Sequence, residues 1–170
     1  MTDKLEIGAF ATVRPGWLCT DIDPHHPEVM KMDATKPFPF ADGTFRFIYC
    51  EHMIEHATLS DGQFMLGECF RVLKSGGVLR VVTPTIDFLI AIMSQKHPDY
   101  VAWAAATFCS DSPSLPSVVF NNFVRAWGHL FIYDRRTLFR SMRQAGFHEF
   151  DEPQLQASRH PELRGLAFEQ

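Results

Sequence analysis

Short apolar runs alternate with segments of helical periodicity along this 170-residue sequence, and that alternation is its most constraining feature. Such an order is typical of an α/β fold with a mostly parallel sheet and helices on both faces. We predict five strands, which in chain order are Lys4–Gly8, Trp17–Asp21, Val29–Asp33, Phe45–Cys50 and Gly77–Thr83. A last pair of strands, His148–Leu155 and Arg164–Glu169, is expected to close the sheet.

Two helices have recognisable ends in the sequence. Ser60 and Gln63 form a capping-box pattern that predicts the start of the first helix, and the double glycine at 76–77 predicts its end. Asp134 is the predicted N-cap of a later helix, which Gly146 is expected to end.

The stretch between these helices is long for a simple connection. Residues 86–127 are predicted to be helical in two or three pieces, and we interpret them as a helical insertion or lid. The total length suits one domain, so residues 1–170 are predicted to form a single unit.

Charge and cysteine content indicate which binding partners and which cellular compartment to expect. A net charge of −4 and an isoelectric point near 6.0 give no electrostatic reason to expect a nucleic-acid or anionic-membrane partner. The longest apolar stretches are too short to cross a bilayer, and the first residues lack the apolar core of a signal peptide. Four cysteines without C-x-x-C spacing suit a reducing compartment. We therefore expect a cytoplasmic protein without nucleic-acid or membrane partners.

Five segments carry a recognisable set of motifs along almost the whole chain. They are LEIG (Leu5–Gly8), WLCTDID (Trp17–Asp23), MDATKPFPFADGTFRFIYCEHMIEH (Met32–His56), ECFRVLKSGGVLRVVTP (Glu68–Pro84) and WGHLFIYDRRTLFRSMRQAGF (Trp127–Phe147). In this order they resemble the class I methyltransferases that use S-adenosylmethionine (SAM), in particular the compact type 11-like group. The resemblance implies a Rossmann-like fold, SAM as cofactor and a small-molecule substrate.

The resemblance also implies roles for individual residues. The Asp21 carboxylate would accept the ribose hydroxyls, and Asp33 with the backbone of Ala34 would meet the adenine amino group. Glu6 would meet the methionine end of SAM through water. The residues implied to bind the cofactor are Glu6, Gly8, Ala9, Phe10, Asp21, Ile22, Asp33, Ala34, Cys50 and Glu51.

Three histidines are the candidate catalytic residues on the substrate side. His52 and His56 follow the fourth predicted strand, and His129 lies in the aromatic stretch 127–133. Histidine titrates near neutral pH, so each of them would be able to take a proton from the methyl acceptor.

The cofactor loop departs from the family pattern. Phe10 stands where the family has a second glycine, and Ala9–Gly16 is too short a crossover to hold the usual first helix. That helix is therefore expected to be missing, and Arg14 is a candidate substitute for the lost cradle of the methionine carboxylate. The alternative function is a non-catalytic methyltransferase-like module whose degenerate loop no longer binds SAM.

A missing helix also leaves sheet surface to be covered. Strands of a parallel sheet that is buried on both faces have apolar side chains on both faces. A large apolar patch is rarely left exposed on a monomeric protein. We therefore predict that Phe10 and Val13 are covered either by the segment Tyr100–Phe108 or by a second copy of the chain, which would make the protein a homodimer.

Competing motifs are weaker. The stretch from His52 to His56 matches H-x-x-E-H, a zinc-peptidase pattern, but that chemistry needs a regular helix, whereas Phe45–Tyr49 predicts a strand directly before it. Asp23–Pro27 contains a proline-flanked histidine pair that predicts an exposed turn. No G-x-G-x-x-G follows the first strand, which argues against a nicotinamide cofactor. No metal site is expected.

Overall fold

The computed structural model describes residues 2–94, 116–154 and 156–166, and its centre is a five-stranded parallel sheet. The strands are β1 (Lys4–Ile7), β2 (Leu18–Asp21), β3 (Met30–Lys31), β4 (Phe45–Glu51) and β5 (Leu73–Val82). Their spatial order is β3-β2-β1-β4-β5, so the direction of winding reverses between β1 and β4. The predicted α/β, Rossmann-like fold is thereby confirmed, and ligands of such folds bind beyond the strand ends at this switch point.

Helices and short turns surround the sheet. The described residues form the helices α1 (Leu59–Val72), α2 (Ile86–Met93), α3 (Pro116–Arg125) and α4 (Arg135–Ala145), and 3-10 turns at Ile54–His56 and Pro161–Leu163. Helices α1 and α4 pack against each other, while α2 and α3 bury a separate small cluster of Leu89, Phe123 and Ile132. Among the helices in the described ranges, none is long and apolar enough to cross a membrane.

The ends of α1 differ from the sequence prediction. The N-cap is Thr58 rather than Ser60, because Thr58 has an extended backbone and its hydroxyl accepts the Asp61 N–H at 3.2 Å. The helix stops at Val72 and the chain passes straight into β5. The double glycine at 76–77 therefore does not end the helix but lies in β5, where the register against β4 shifts by several residues.

The ends of α4 confirm the prediction. Asp134 caps its start, since the Asp134 carboxylate accepts the Thr137 N–H at 2.7 Å. Gly146 ends it in the left-handed conformation, with φ of 116°.

The predicted terminal strand pair is wrong for the residues that the structure describes. Residues 148–154 and 164–166 contain no strand, and the remaining residues of that pair lie outside the described ranges. The segment instead lies against β5, because the Arg80 guanidinium donates to the carbonyls of Ala157 at 2.7 Å and Leu163 at 2.9 Å. Hydrogen bonds to a half-buried arginine thus take the place of a strand ladder.

One face of the sheet is apolar and carries the main core. Residues aligned across parallel neighbours share a face, so Leu5, Ile48 and Leu79 lie together. They pack with Met65 and Leu66, which belong to the buried stripe of α1. Fully burying one such side chain contributes about 1.5–3 kcal/mol, so this face accounts for much of the stability.

The opposite face carries a polar row where apolar residues were expected. Glu6, Tyr49 and Arg80 are aligned on neighbouring strands, and Glu6 and Tyr49 are buried. The Tyr49 hydroxyl donates to the Glu51 carboxylate at 2.9 Å, and burial raises the pKa of Tyr49, which keeps it a neutral donor.

Arg14 covers this row from the connection between β1 and β2. Residues 8–17, all within the described ranges, form no helix, as predicted. The Arg14 guanidinium donates from Nε and Nη2 to the two Glu6 carboxylate oxygens, each at 2.9 Å, and lies 5.4 Å from the centre of the Tyr49 ring. The hydrogen bonds from Arg14 to Glu6 raise the pKa of Arg14, so the pair stays ionised. The ion pair of Glu6 and Arg14 therefore covers this face of the sheet in place of the missing first helix.

Breaking this pair on one side only is expected to destabilise the protein strongly. Arg14→Met should lower the free energy of unfolding by about 3–5 kcal/mol, because it leaves the Glu6 carboxylate buried without a partner. The double variant Glu6→Gln with Arg14→Met should recover most of that loss, as it removes the buried charge as well. Urea denaturation of the three proteins measures both effects, and equal losses in the single and double variants would contradict this account.

The cover over Phe10 and Val13 stays a prediction. Both side chains are exposed, at 58% and 39%, in the described part of the chain, and the segment Tyr100–Phe108 lies outside it. If the protein is a homodimer, light scattering at micromolar concentration should give twice the chain mass. Phe10→Asp should then shift the protein toward a monomer. A wild-type monomer at every concentration would contradict it.

Candidate functional site

The carboxyl ends of β1, β2 and β4 bring three predicted site residues to one edge of the sheet. Gly8 follows β1, Asp21 ends β2 and Glu51 ends β4. Because β1 lies between β2 and β4, these residues surround the switch point at which α/β sheets bind ligands.

The loop after β1 keeps a glycine-like backbone despite its substitution. Gly8 has φ of 81°, and the N–H groups of Gly8 and Ala9 both donate to the Thr20 carbonyl, at 2.9 and 3.0 Å. Phe10 has φ of 52°, the left-handed region that normally favours glycine. Its ring packs on His25, with the ring centres 4.2 Å apart. Phe10 therefore adopts a backbone conformation that favours glycine although it carries a large side chain.

Asp21 holds this loop and keeps acceptor capacity for a ligand. One carboxylate oxygen accepts the Phe10 N–H at 2.7 Å and the other accepts the Asp23 N–H at 2.9 Å. A carboxylate offers about four lone-pair sites, so these two bonds leave about two for further donors. Beside it the Ile22 side chain is 60% exposed, which provides an apolar surface next to the carboxylate.

Asp33 has a local structural task. One of its oxygens accepts from both the backbone N–H and the hydroxyl of Thr35, at 2.9 and 2.7 Å. These hydrogen bonds lower the pKa of Asp33, so it is a carboxylate at neutral pH. The adjacent Ala34 is buried as a whole residue.

Three other predicted cofactor residues are turned to protein partners. Both Glu6 oxygens accept hydrogen bonds from Arg14. The same ion pair engages the Arg14 guanidinium, which was the candidate partner of the methionine carboxylate. The Cys50 side chain is fully buried on the apolar face, and burial raises the pKa of its thiol. Glu51 accepts from the Tyr49 hydroxyl. A cofactor would thus meet the backbone of Cys50 and Glu51 more readily than their side chains.

His52 forms a hydrogen-bonded chain with two residues that sequence reasoning missed. Its Nδ1 lies 3.1 Å from one oxygen of Glu55, and the Thr83 hydroxyl donates to the other at 3.0 Å. Glu55 is fully buried, and its hydrogen bond raises the pKa of His52. The available signal was the three-residue spacing from His52 to Glu55, which the 3-10 turn places side by side.

The other two histidines meet each other and Glu55. The rings of His56 and His129 have centres 4.9 Å apart, and one donor atom from each of Glu55, His56 and His129 lies within 4.8 Å of the others. His129 Nδ1 is 2.7 Å from the Phe123 carbonyl. The three candidate catalytic histidines are therefore brought around one buried carboxylate, although 73 positions separate His56 from His129 (129 − 56).

Backbone strain concentrates at the candidate site. The described residues other than glycine with positive φ are Phe10, His52 and Trp127, at 52°, 46° and 57°. Phe10 lies in the loop after β1, His52 lies directly after β4, and Trp127 lies two residues before His129. Such conformations cost about 1–3 kcal/mol each and cluster at functional sites, so their placement supports a functional role for this edge.

Gly8 is also required by a close approach between two loops. A Cβ added at Gly8 would lie 2.8 Å from the Cβ of Met53, which follows β4. A glycine at this position therefore lets the loops after β1 and β4 touch at the switch point.

The matched pair Gly8→Ala and Gly16→Ala tests this contact. Both glycines have φ near 80°, at 81° and 79°, but nothing lies within 4 Å of the added Cβ at Gly16. Gly16→Ala should lose about 1–2 kcal/mol of unfolding free energy from the backbone conformation alone. Gly8→Ala should lose about 1–3 kcal/mol more from overpacking against Met53. Thermal or urea unfolding measures the difference, and equal losses would show that the contact is unimportant.

Comparison with known proteins agrees with this architecture. The family model described as "Methyltransferase domain" matches residues 16–81, a span that starts after the loop at Gly8 and ends within β5. A SAM-dependent methyltransferase of Thermotoga maritima, described as a possible histamine N-methyltransferase, superposes with a TM-score of 0.53 at 19% identity, covering 88% of this chain and 65% of that one.

Two further solved structures have similar scores. A candidate methyltransferase of Bacillus halodurans gives a TM-score of 0.50 at 16% identity, covering 86% of this chain and 60% of that one. A protein of Pyrococcus horikoshii gives 0.51 at 13% identity, covering 83% and 71%. No curated protein matches this chain in sequence.

The chain spans 60% and 65% of the length of the Bacillus and Thermotoga structures. At these identities the structures establish a shared fold. The family model matches less than half of the chain, so the comparisons show a likeness to methyltransferase domains and a shared fold.

Proposed function

We propose that this chain is the catalytic core of a SAM-dependent methyltransferase that acts on a small-molecule acceptor. The observation that carries the proposal is Asp21, an ionisable side chain at the end of β2 whose two oxygens are oriented by the Phe10 and Asp23 N–H groups. Each oxygen retains acceptor capacity beside the exposed side chain of Ile22. This is the combination that a ribose diol and an adenine ring require.

The residues around Asp21 have complementary roles in the proposal. Bound SAM would supply an electrophilic methyl group on a sulfonium sulfur. Gly8 and Ala9 form the loop against which its methionine part would rest, and Asp33 with the Ala34 backbone is assigned to the adenine amino group. The Glu6 and Arg14 pair keeps the floor of the site neutral, since each charge offsets the other.

We infer that His52 takes the proton of the acceptor. It follows β4 directly, its side chain is 40% exposed, and Glu55 orients its ring through Nδ1. With the proton on Nδ1 shared with Glu55, Nε2 carries the lone pair that a general base needs. When the acceptor is methylated, its proton would pass to Nε2 of His52.

The compartment and the acceptor class are inferred from the cysteines and the charge balance. We infer a cytoplasmic location because the described cysteines, Cys19, Cys50 and Cys69, are buried free thiols. A small-molecule acceptor is inferred because the basic residues do not outnumber the acidic ones, with 16 against 20, so the net charge gives no electrostatic reason to expect a polyanion.

Calorimetric titration with SAM and its demethylated product tests the proposal. Wild type should bind both, and Asp21→Asn should weaken binding about ten- to a hundredfold, because it removes a charged hydrogen-bond acceptor. Asp23→Asn is the matched control, since it makes the same charge change at an exposed residue two positions along the chain. It should leave the affinity unchanged.

The alternative is a non-catalytic methyltransferase-like module. The observation that favours it is the engagement of both Glu6 oxygens by Arg14, which removes a group expected to face the methionine end. Absence of binding to wild type at millimolar SAM would overturn the enzyme proposal and support the module.

A further inference from the structure

Glu55, His56 and His129 bring a carboxylate and two imidazoles to one point after the end of β4. One donor atom of each lies within 4.8 Å of the others. We infer that these three side chains form a binding site for a divalent transition metal, with Zn²⁺ as the best match.

Glu55 is a carboxylate held in place before any metal arrives. The residue is fully buried, and its two oxygens are hydrogen-bonded to His52 Nδ1 at 3.1 Å and the Thr83 hydroxyl at 3.0 Å. A buried negative charge is costly unless it is compensated, and two hydrogen bonds occupy about half of its lone-pair sites. The remaining capacity suits a cation.

His129 is oriented as metal-bound histidines are. The Phe123 carbonyl 2.7 Å from Nδ1 can only accept, so Nδ1 carries the hydrogen and Nε2 of the neutral ring carries the lone pair. A backbone carbonyl on the second ring nitrogen is the usual device that fixes the tautomer and direction of a ligating histidine. His129 is therefore preset as a nitrogen donor.

The backbone fixes the two segments relative to each other. The Glu55 carbonyl accepts from the N–H groups of Leu130 at 2.8 Å and Phe131 at 3.2 Å. The turn before His129 is held in the left-handed region at Trp127 and Gly128, with φ of 57° and 79°. This arrangement ties the 3-10 turn to the 127–131 segment and keeps His129 against Glu55 and His56.

The donor set decides which ion fits. Two imidazole nitrogens and one carboxylate oxygen favour Zn²⁺ or a neighbouring transition ion over Mg²⁺ or Ca²⁺, which prefer oxygen donors. Around tetrahedral Zn²⁺ with bonds of about 2.0–2.2 Å, donor atoms lie about 3.3–3.6 Å apart. The three donor atoms, which lie within 4.8 Å of one another, would therefore draw closer when the ion binds. Three protein ligands leave a position open for water or for an anionic oxygen or sulfur ligand.

This site differs from the linear H-x-x-E-H pattern. That pattern would use His52 and His56 as ligands and Glu55 as a base, whereas the spatial cluster takes Glu55 and His56 with the distant His129. His52 instead bonds to the Glu55 carboxylate. The expectation of no metal rested on the linear pattern, and the cluster is a separate observation.

Metal titration of the intact chain tests the inference. After treatment with a chelator, wild type should bind about one Zn²⁺ per chain by elemental analysis, and Co²⁺ should give visible absorption bands of a low-coordinate nitrogen and oxygen site. His56→Ala and His129→Ala should each weaken Co²⁺ binding at least tenfold. His148→Ala is the matched control, because His148 is an exposed histidine elsewhere, and its binding should equal wild type.

Several outcomes would overturn the site. They are a wild-type protein that binds no Zn²⁺ or Co²⁺, or undiminished binding in the His129→Ala variant with circular dichroism showing a folded chain. Loss of binding in His52→Ala but not in His129→Ala would instead assign the ion to the linear motif. If the alanine variants fail to fold, the wild-type Co²⁺ spectrum tests the site by itself. Bands of a low-coordinate nitrogen and oxygen site would support it, and their absence would overturn it. Metal binding is measured without SAM, so its failure is distinct from a failure of the cofactor proposal.

Discussion

The ion pair between Glu6 and Arg14 is the interaction on which the rest of the structure depends. A parallel crossover without a helix leaves one face of the sheet uncovered, and a buried carboxylate on that face would be unstable alone. Arg14, from the ten-residue connection at 8–17, neutralises Glu6 and lies over Tyr49. The short connection is therefore tolerated because a single long side chain replaces a layer of packing.

That short connection also shapes the site. With no helix after the loop at Gly8, the loop is held by contacts to its neighbours, namely the Thr20 carbonyl, the Asp21 carboxylate and Met53. The same carboxylate that would bind a ribose thus organises the cofactor loop. Loss of Asp21 is expected to affect both tasks, and Asp21→Asn keeps one oxygen that can accept one of the two loop N–H groups.

The substrate side is organised around one buried charge. Glu55 meets His52 on one side and the pair of His56 and His129 on another, and its own backbone carbonyl fixes the segment that carries His129. A buried carboxylate that must be compensated draws polar partners from distant parts of the chain. Glu55 therefore connects His52, the base proposed for methyl transfer, to the inferred metal site.

The sequence by itself determined the five strands along the chain, the helix capped by Asp134 and Gly146, the missing first helix and the place of Asp21 at the end of β2. Periodicity, caps and connection length are local properties of a sequence, whereas the order of the strands in the sheet came from the tertiary structure. It misplaced the cap at Ser60 and the terminal strands, where Thr58 and Arg80 offered better hydrogen bonds. The pairing of Glu6 with Arg14, the burial of Cys50 and the meeting of His56 with His129 were decided only by the tertiary structure. These contacts join strands, loops and turns that are distant in the chain, and it is burial, set by packing, that decides which polar group finds a partner.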